Sequence, residues 1–196
     1  MGVVHRCPAS LDVGQDANGQ VWRHVDRVTA EVPLSTAQAR RCEMVNGESH
    51  YCLGQRYRLR VHEHDAPARI AVRGIATLDL FVRLGTSPEQ WEAIVFRWHQ
   101  QQLQELIPPL LEKWQTVLGV EVADWGIKKI KTKWGSCNAP ARRVCFNLEL
   151  AKKPVQCLDY IVAHELTHLL ERHHNERFTD NRGNRVQTTV ILFFLL

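Results

Sequence analysis

Two histidines four residues apart, His164 and His168 in AHELTHLLERHH, set the tightest condition on this chain. Four helical residues amount to about 40° of net rotation and about 6 Å of rise, so a helix here puts both imidazoles on one side. The flanking sequence supplies that helix. Pro154 opens it, and Leu158, Ile161, Val162 and Leu169 form its apolar stripe. A helix with such a stripe buries one face and carries the histidines close to a core.

Glu165 follows the first histidine and completes the pattern HExxH. Two imidazoles can meet one ion, while the carboxylate reaches a water held on it, whose pKa zinc lowers toward about 7. Zinc peptidases use this arrangement. A catalytic zinc takes three protein ligands and a water, and His173 and His174 are the candidates for the third. On a continuous helix His174 would lie about 9 Å beyond His168 and on another face, so the helix is expected to break near Glu171 and Arg172. The turn is expected from His173 or Asn175 in a left-handed conformation. The spacing from His164 to His174 resembles the metzincin pattern HExxHxxGxxH, but Glu171 occupies the glycine position, which argues against that assignment.

Upstream, the pattern reads as short strands. In CEMVNGESHYCLGQRYRLRV, Asn46-Gly47 suits a two-residue hairpin turn with positive φ, and Gly54-Gln55 offers a second turn. Tyr57, Leu59 and Val61 alternate with Arg56, Arg58 and Arg60, a strand with one buried face. The arginines read first as a solvated face and second as a phosphate-binding strip. Ile70 and Val72, a turn at Gly74, then Leu78, Leu80 and Val82 continue the alternation, so residues 41–86 are expected to form an antiparallel β meander.

The period then changes to that of a helix. Ser87 is an N-cap, Pro88 sits at the first helical position, and Gln90 stands where a capping box needs it. Trp91, Ile94, Val95, Trp98, Leu106, Leu110, Trp114 and Leu118 recur at three- and four-residue steps up to a stop at Gly119. Pro108-Pro109 is expected to kink or split this helix. Beyond it, GIKKIKTKW sets Ile130, Thr132 and Trp134 against Lys129, Lys131 and Lys133, and VCFNLEL alternates through Val144, Phe146, Leu148 and Leu150. The expectation is two strands joined by a loop with Asn138 and Pro140.

Composition narrows the class of function. The chain has 196 residues, 44% hydrophobic and 23% charged, enough to bury a core and too apolar for disorder beyond the ends. A net charge of +4 with dispersed Lys and Arg does not identify a nucleic-acid binder. Six cysteines without a CxxC pair suit reduced thiols in a cytoplasmic protein. Residues 1–40 show neither a clear period nor a motif, the first thirty, without an apolar run, are not expected to act as a signal peptide, and Val190 to Leu196 is too short to span a bilayer.

WGSC at 134–137, FNLEL around Asn147, the KKP…LDYIVAHELTHLL run and HHNERF at 173–178 together resemble the YgjP-like metallopeptidase family, related to SprT-type proteases, over roughly residues 40–178. The resemblance implies one zinc ion held by His164, His168 and His174, with Glu165 activating water. The expected architecture is α+β: a poorly defined segment 1–40, the β meander 41–86, a zincin-like catalytic domain 87–178 with a helix, a short sheet and the HExxH helix, and an atypical tail 179–196. The tail TDNRGNRVQTTVILFFLL departs from the family's continuing helical sequence, so an inactive, C-terminally altered relative is one alternative.

The expected reaction is hydrolysis of a peptide or protein. Asp159 reads equally as a carboxylate orienting a ligand imidazole or as a solvent-exposed residue, and Asn147 as doing the same orienting work or as a contact to substrate main chain. Ser136 and Cys137 read as structural, and residues 143–148 read equally as an edge strand for pairing an extended substrate or as interior sheet. A nucleic-acid-associated module with a structural zinc is the other alternative. It draws on SprT-type relatives that act on DNA-bound proteins and on the Arg56, Arg58, Arg60 and Lys129, Lys131, Lys133 faces.

Overall fold

The computed structural model describes residues 43–172, an α+β arrangement of two small sheets and two helices. Residues 1–42 and the segment from His173 onward, including His174, lie outside the described residues.

The first sheet contains β1 (Ser49–Cys52), β2 (Gln55–Glu63), β3 (Arg69–Arg73) and β4 (Thr77–Val82) in the order β1-β2-β4-β3. Strand β2 pairs with β4 in parallel, while β1–β2 and β3–β4 are antiparallel. The expected antiparallel meander is therefore corrected. Alternation reports which face a residue takes and not which strand lies beside it. Burial accounts for the order: Leu78, Leu80 and Val82 are fully buried and Asp79 is 1% exposed, so β4 sits inside while β3, with Arg69 and Arg73 exposed, takes an edge.

The turns also depart from expectation. Leu53 (φ 48°) and Gly54 (φ 81°) make the two-residue turn between β1 and β2, instead of Gly54-Gln55. Their amides leave the sheet: Leu53 N–H donates to Ala151 O at 2.8 Å and Gly54 N–H to Lys152 O at 3.3 Å. A β-carbon on Gly54 would stand 2.8 Å from Pro154 Cγ, so the turn lies flat against the start of the last helix. At Asn46-Gly47 only Gly47 has positive φ, and Asn46 Oδ1 accepts from Val61 N–H at 3.2 Å.

Helix α1 (Pro88–Leu118) begins as its sequence requires, with Ser87 N–H donating to Gln90 Oε1 at 2.9 Å, and ends on Gly119 at φ 67°. It runs unbroken through Pro108-Pro109. Both prolines, and residues 104 and 105 whose carbonyls lose their helical donors, are exposed, so water can complete those carbonyls. Trp98 packs one end of α1 on the first sheet's core, and Leu103, Ile107, Leu111 and Trp114 join a second core.

That second core is closed by β5 (Asp124–Lys128), β6 (Gly135–Asn138), β7 (Arg143–Asn147), a 3₁₀ segment (Leu148–Lys152) and α2 (Val155–Thr167). The sheet order is β5-β7-β6, with β7 central. Two expectations fail here. Lys129 to Trp134 forms a loop and not a strand, and Leu148 and Leu150 belong to the 3₁₀ segment, although both are buried as their alternation implied. Of the two readings of residues 143–148, the interior one holds for β7 and the substrate-pairing edge does not, because β7 has a neighbour on each side.

Candidate active site

Helix α2 carries His164 and Glu165, and His168 caps its C-terminus. Leu158, Val162 and Leu166 are fully buried and Ile161 nearly so, which presses that face onto α1 and leaves His164 and His168 half-exposed together. Their ring centroids are 5.0 Å apart at an interplanar angle of 85°. Two imidazoles sharing one tetrahedral ion at ordinary Zn–N distances would have centroids about 5 Å apart. The separation of the pair is compatible with a shared metal. Among the described residues no group of three His, Cys, Asp or Glu side chains is assembled, and the third ligand expected, His174, lies outside them.

The helix ends earlier than the expected break at Glu171 and Arg172. Thr167 is its last residue, and Leu169 N–H to Leu166 O and Leu170 N–H to Thr167 O, both 3.0 Å, tighten the exit into a turn. His168 Nδ1 lies 3.1 Å from Glu171 O. A carbonyl only accepts, so Nδ1 is the donor in this contact. In a neutral ring that tautomer leaves Nε2 as the nitrogen able to act as a ligand.

Glu165 is 6% exposed, and burial raises its pKa to about 7 against a partly offsetting field from Lys133. Its wall is Gly135 at the start of β6. A β-carbon there would stand 2.6 Å from Glu165 Cγ and Oε1. Cys137, two residues on, has its thiol pushed up to about 11 by burial and by the Glu165 charge, which removes it as a thiolate nucleophile near neutral pH. Gly135 was not singled out by sequence reasoning, and Lys133 was read only as part of a lysine face and not as a neighbour of Glu165. The only signal was the glycine of WGSC, and nothing local pairs it with a glutamate thirty positions later.

Asn147 is fully buried, and its carboxamide serves the protein itself. Nδ2 donates to Ile130 O and Lys133 O, both at 2.8 Å, while Oδ1 accepts from Ile130 N–H at 3.3 Å and Glu149 N–H at 3.2 Å. Its own N–H donates to Trp134 O at 2.9 Å. These bonds use both ends of the amide, so the expected substrate contact is corrected: Asn147 pins the loop that delivers Gly135. Asp159 is likewise turned elsewhere. Lys113 Nζ reaches its two oxygens at 3.1 and 3.0 Å and Trp114 Nε1–H donates to it at 2.6 Å, which ties α2 to α1. Five helical residues separate it from His164, about 140° around the axis, so it faces away from that imidazole.

A sequence profile for the family described as YgjP-like, metallopeptidase domain, matches residues 16–185. The chain belongs to that family. The match takes in every described element of this YgjP-like domain and extends past the span 40–178 on both sides. No curated protein and no solved structure gives a significant match. Among the described residues of the YgjP-like domain, Cys137, Cys145 and Cys157 form no disulfide, and no helix is long and apolar enough to cross a membrane.

Proposed function

We infer that this YgjP-like domain is a zinc-dependent peptidase with His164 and His168 as two of the metal's ligands, His174 as the third and Glu165 as the general base. The observation that carries this reading is the imidazole pair, 5.0 Å apart on the open side of α2, beside a glutamate walled in by Gly135. Zinc held there would supply an acidified water and an electrophile for the scissile carbonyl. Glu165 takes the water's proton onto its carboxylate and returns it to the departing amine. Gly135 lets the β6 backbone come close enough to confine that carboxylate. With β7 central, β6 is the strand of its sheet that both touches Glu165 and has an unpaired edge among the described residues. An extended peptide pairing along β6 would pass the base.

The test compares wild type with Glu165→Gln and His168→Ala for zinc content and for cleavage of an unfolded protein. Glu165→Gln is expected to keep zinc and lose at least about 100-fold in kcat, while His168→Ala loses the metal. Cleavage that survives either chelation or Glu165→Gln would overturn the reading.

A further inference from the structure

The solvent face of the first sheet carries a charge pattern that fold stability does not explain. Tyr57 and Leu59 are fully buried on β2, so Arg56, Arg58 and Arg60 point outward, and all three are exposed. Arg69 and Arg73 on β3 are exposed on the same face, since they pair across β4 with Phe81 and Thr77, which themselves oppose His62 and Arg58. Opposite charges across a sheet stabilise it and like charges do the reverse. Yet the positions facing Arg56 and Arg58 hold Tyr51, Ser49 and Thr77.

The acid on this face is Asp79, opposite Arg60. It is 1% exposed and engaged by Arg73 Nε and His62 Nε2, each at 2.9 Å. Among the described residues Arg56, Arg58 and Arg60 have no ion-pair partner. Alternate residues of a strand stand about 6.7 Å apart, which matches the step between phosphates on an extended nucleic-acid strand. A second, independent feature lies beside the column. The Arg69 guanidinium sits 4.2 Å from the Phe81 ring centroid, and the His62 ring stacks on Phe81 at 4.9 Å and 20°. Arginine columns next to planar π groups bind phosphates and unpaired bases together. A duplex offers no base face to such a platform.

We propose that the outer face of the β1–β4 sheet binds single-stranded nucleic acid, with phosphates on Arg56, Arg58 and Arg60 and a base on the Arg69–Phe81–His62 stack. The assignment is separate from the hydrolytic reading, because its residues lie on the other sheet and its readout is binding. Labelled oligothymidylate and oligouridylate of about 20 nucleotides, a duplex of the same length and phosphatidylserine vesicles are titrated with the full chain. Both the wild type and the Arg56→Gln/Arg58→Gln/Arg60→Gln variant are measured, with circular dichroism as a check of folding.

Expected are a preference for one or both single strands, at least a tenfold loss in the triple variant, and a log affinity against log salt slope shallower by about 2. Phe81→Leu should weaken binding about fivefold or more with the slope unchanged. Should the triple variant fail to fold, Arg58→Gln alone is expected to cost about threefold, with a slope change of about 0.7. Binding equal to wild type in the variants, preference for the duplex, no binding at low salt, or capture by vesicles without the oligonucleotides would each overturn the proposal. Comparing oligothymidylate with oligouridylate identifies which sugar the face accepts.

Discussion

Gly135 and Glu165 approach so closely that a β-carbon on the glycine would stand 2.6 Å from the glutamate's Cγ. Glycine's φ here is not in the left-handed region, so the requirement is for space and not for backbone freedom. Gly135→Ala is expected to displace the Glu165 carboxyl at a cost of about 1–3 kcal/mol of local strain. Activity on an unfolded substrate should fall at least tenfold, chiefly in kcat, while bound zinc, measured by elemental analysis, stays at the wild-type level. Loss of zinc together with activity would mean that the glycine supports the histidines instead.

Asn147→Ala is expected to be among the more damaging changes in the second sheet. It strands the carbonyls of Ile130 and Lys133 and the amides of Ile130 and Glu149. Orphaned buried polar groups cost about 1–3 kcal/mol each when water cannot reach them, and partial hydration of the loop should hold the total near about 3 kcal/mol. Urea unfolding measures this. A loss under about 1 kcal/mol would show that the loop does not depend on its carboxamide.

Asp159→Ala separates a tie between helices from a role at the metal. Trp114 is fully buried, so removing its acceptor leaves an indole N–H unsatisfied. A destabilisation of about 2 kcal/mol is expected, with zinc affinity unchanged. A fall in zinc affinity at unchanged stability would restore the imidazole-orienting role.

His99 predicts an acid-sensitive core. It is 3% exposed, and its ring Nε2–H donates to Tyr51 O at 3.1 Å. Burial, with the Lys152 charge, lowers its pKa to about 3 from 6.5. The folded state therefore holds the ring neutral where the unfolded chain takes up a proton. The stabilisation is fully present above the unfolded value of 6.5 and is lost as pH falls toward 3, at about 1.4 kcal/mol per pH unit. Burial also lowers the pKa of His50, in the same direction. Between pH 7 and about pH 5 the wild type should lose about 2 kcal/mol more than His99→Gln. Parallel pH profiles for the two proteins would contradict this.

Local signals in the sequence were read correctly where the physics is local. The Ser87–Gln90 box and the Gly119 stop delimit α1 because capping involves neighbours in the chain, and the 3.6-residue period brings His164 and His168 together. Strand order was not legible, since Leu78 and Leu80 announce a buried face but not that β2 lies parallel to β4. The stretch Lys129 to Trp134 imitates a strand because lysines alternate with apolar residues, yet its shape is set by Asn147 from a distant part of the chain. Asp159 could have been placed by counting 100° per residue, whereas the pairing of Gly135 with Glu165 exists only in the folded chain.

The two hairpin ends of the first sheet will tolerate very different treatment. Among the described residues nothing lies within 4 Å of a β-carbon added to Gly74, and the adjoining Ile75 is 82% exposed, so a short peptide tag or reporter inserted there meets none of the described core. The Leu53-Gly54 end is bonded to the 3₁₀ segment and seated on Pro154, ten positions ahead of His164. Lengthening that end would wedge the sheet away from the root of the helix that carries the histidines, making it the place where an insertion far from the reacting atoms should silence the protein.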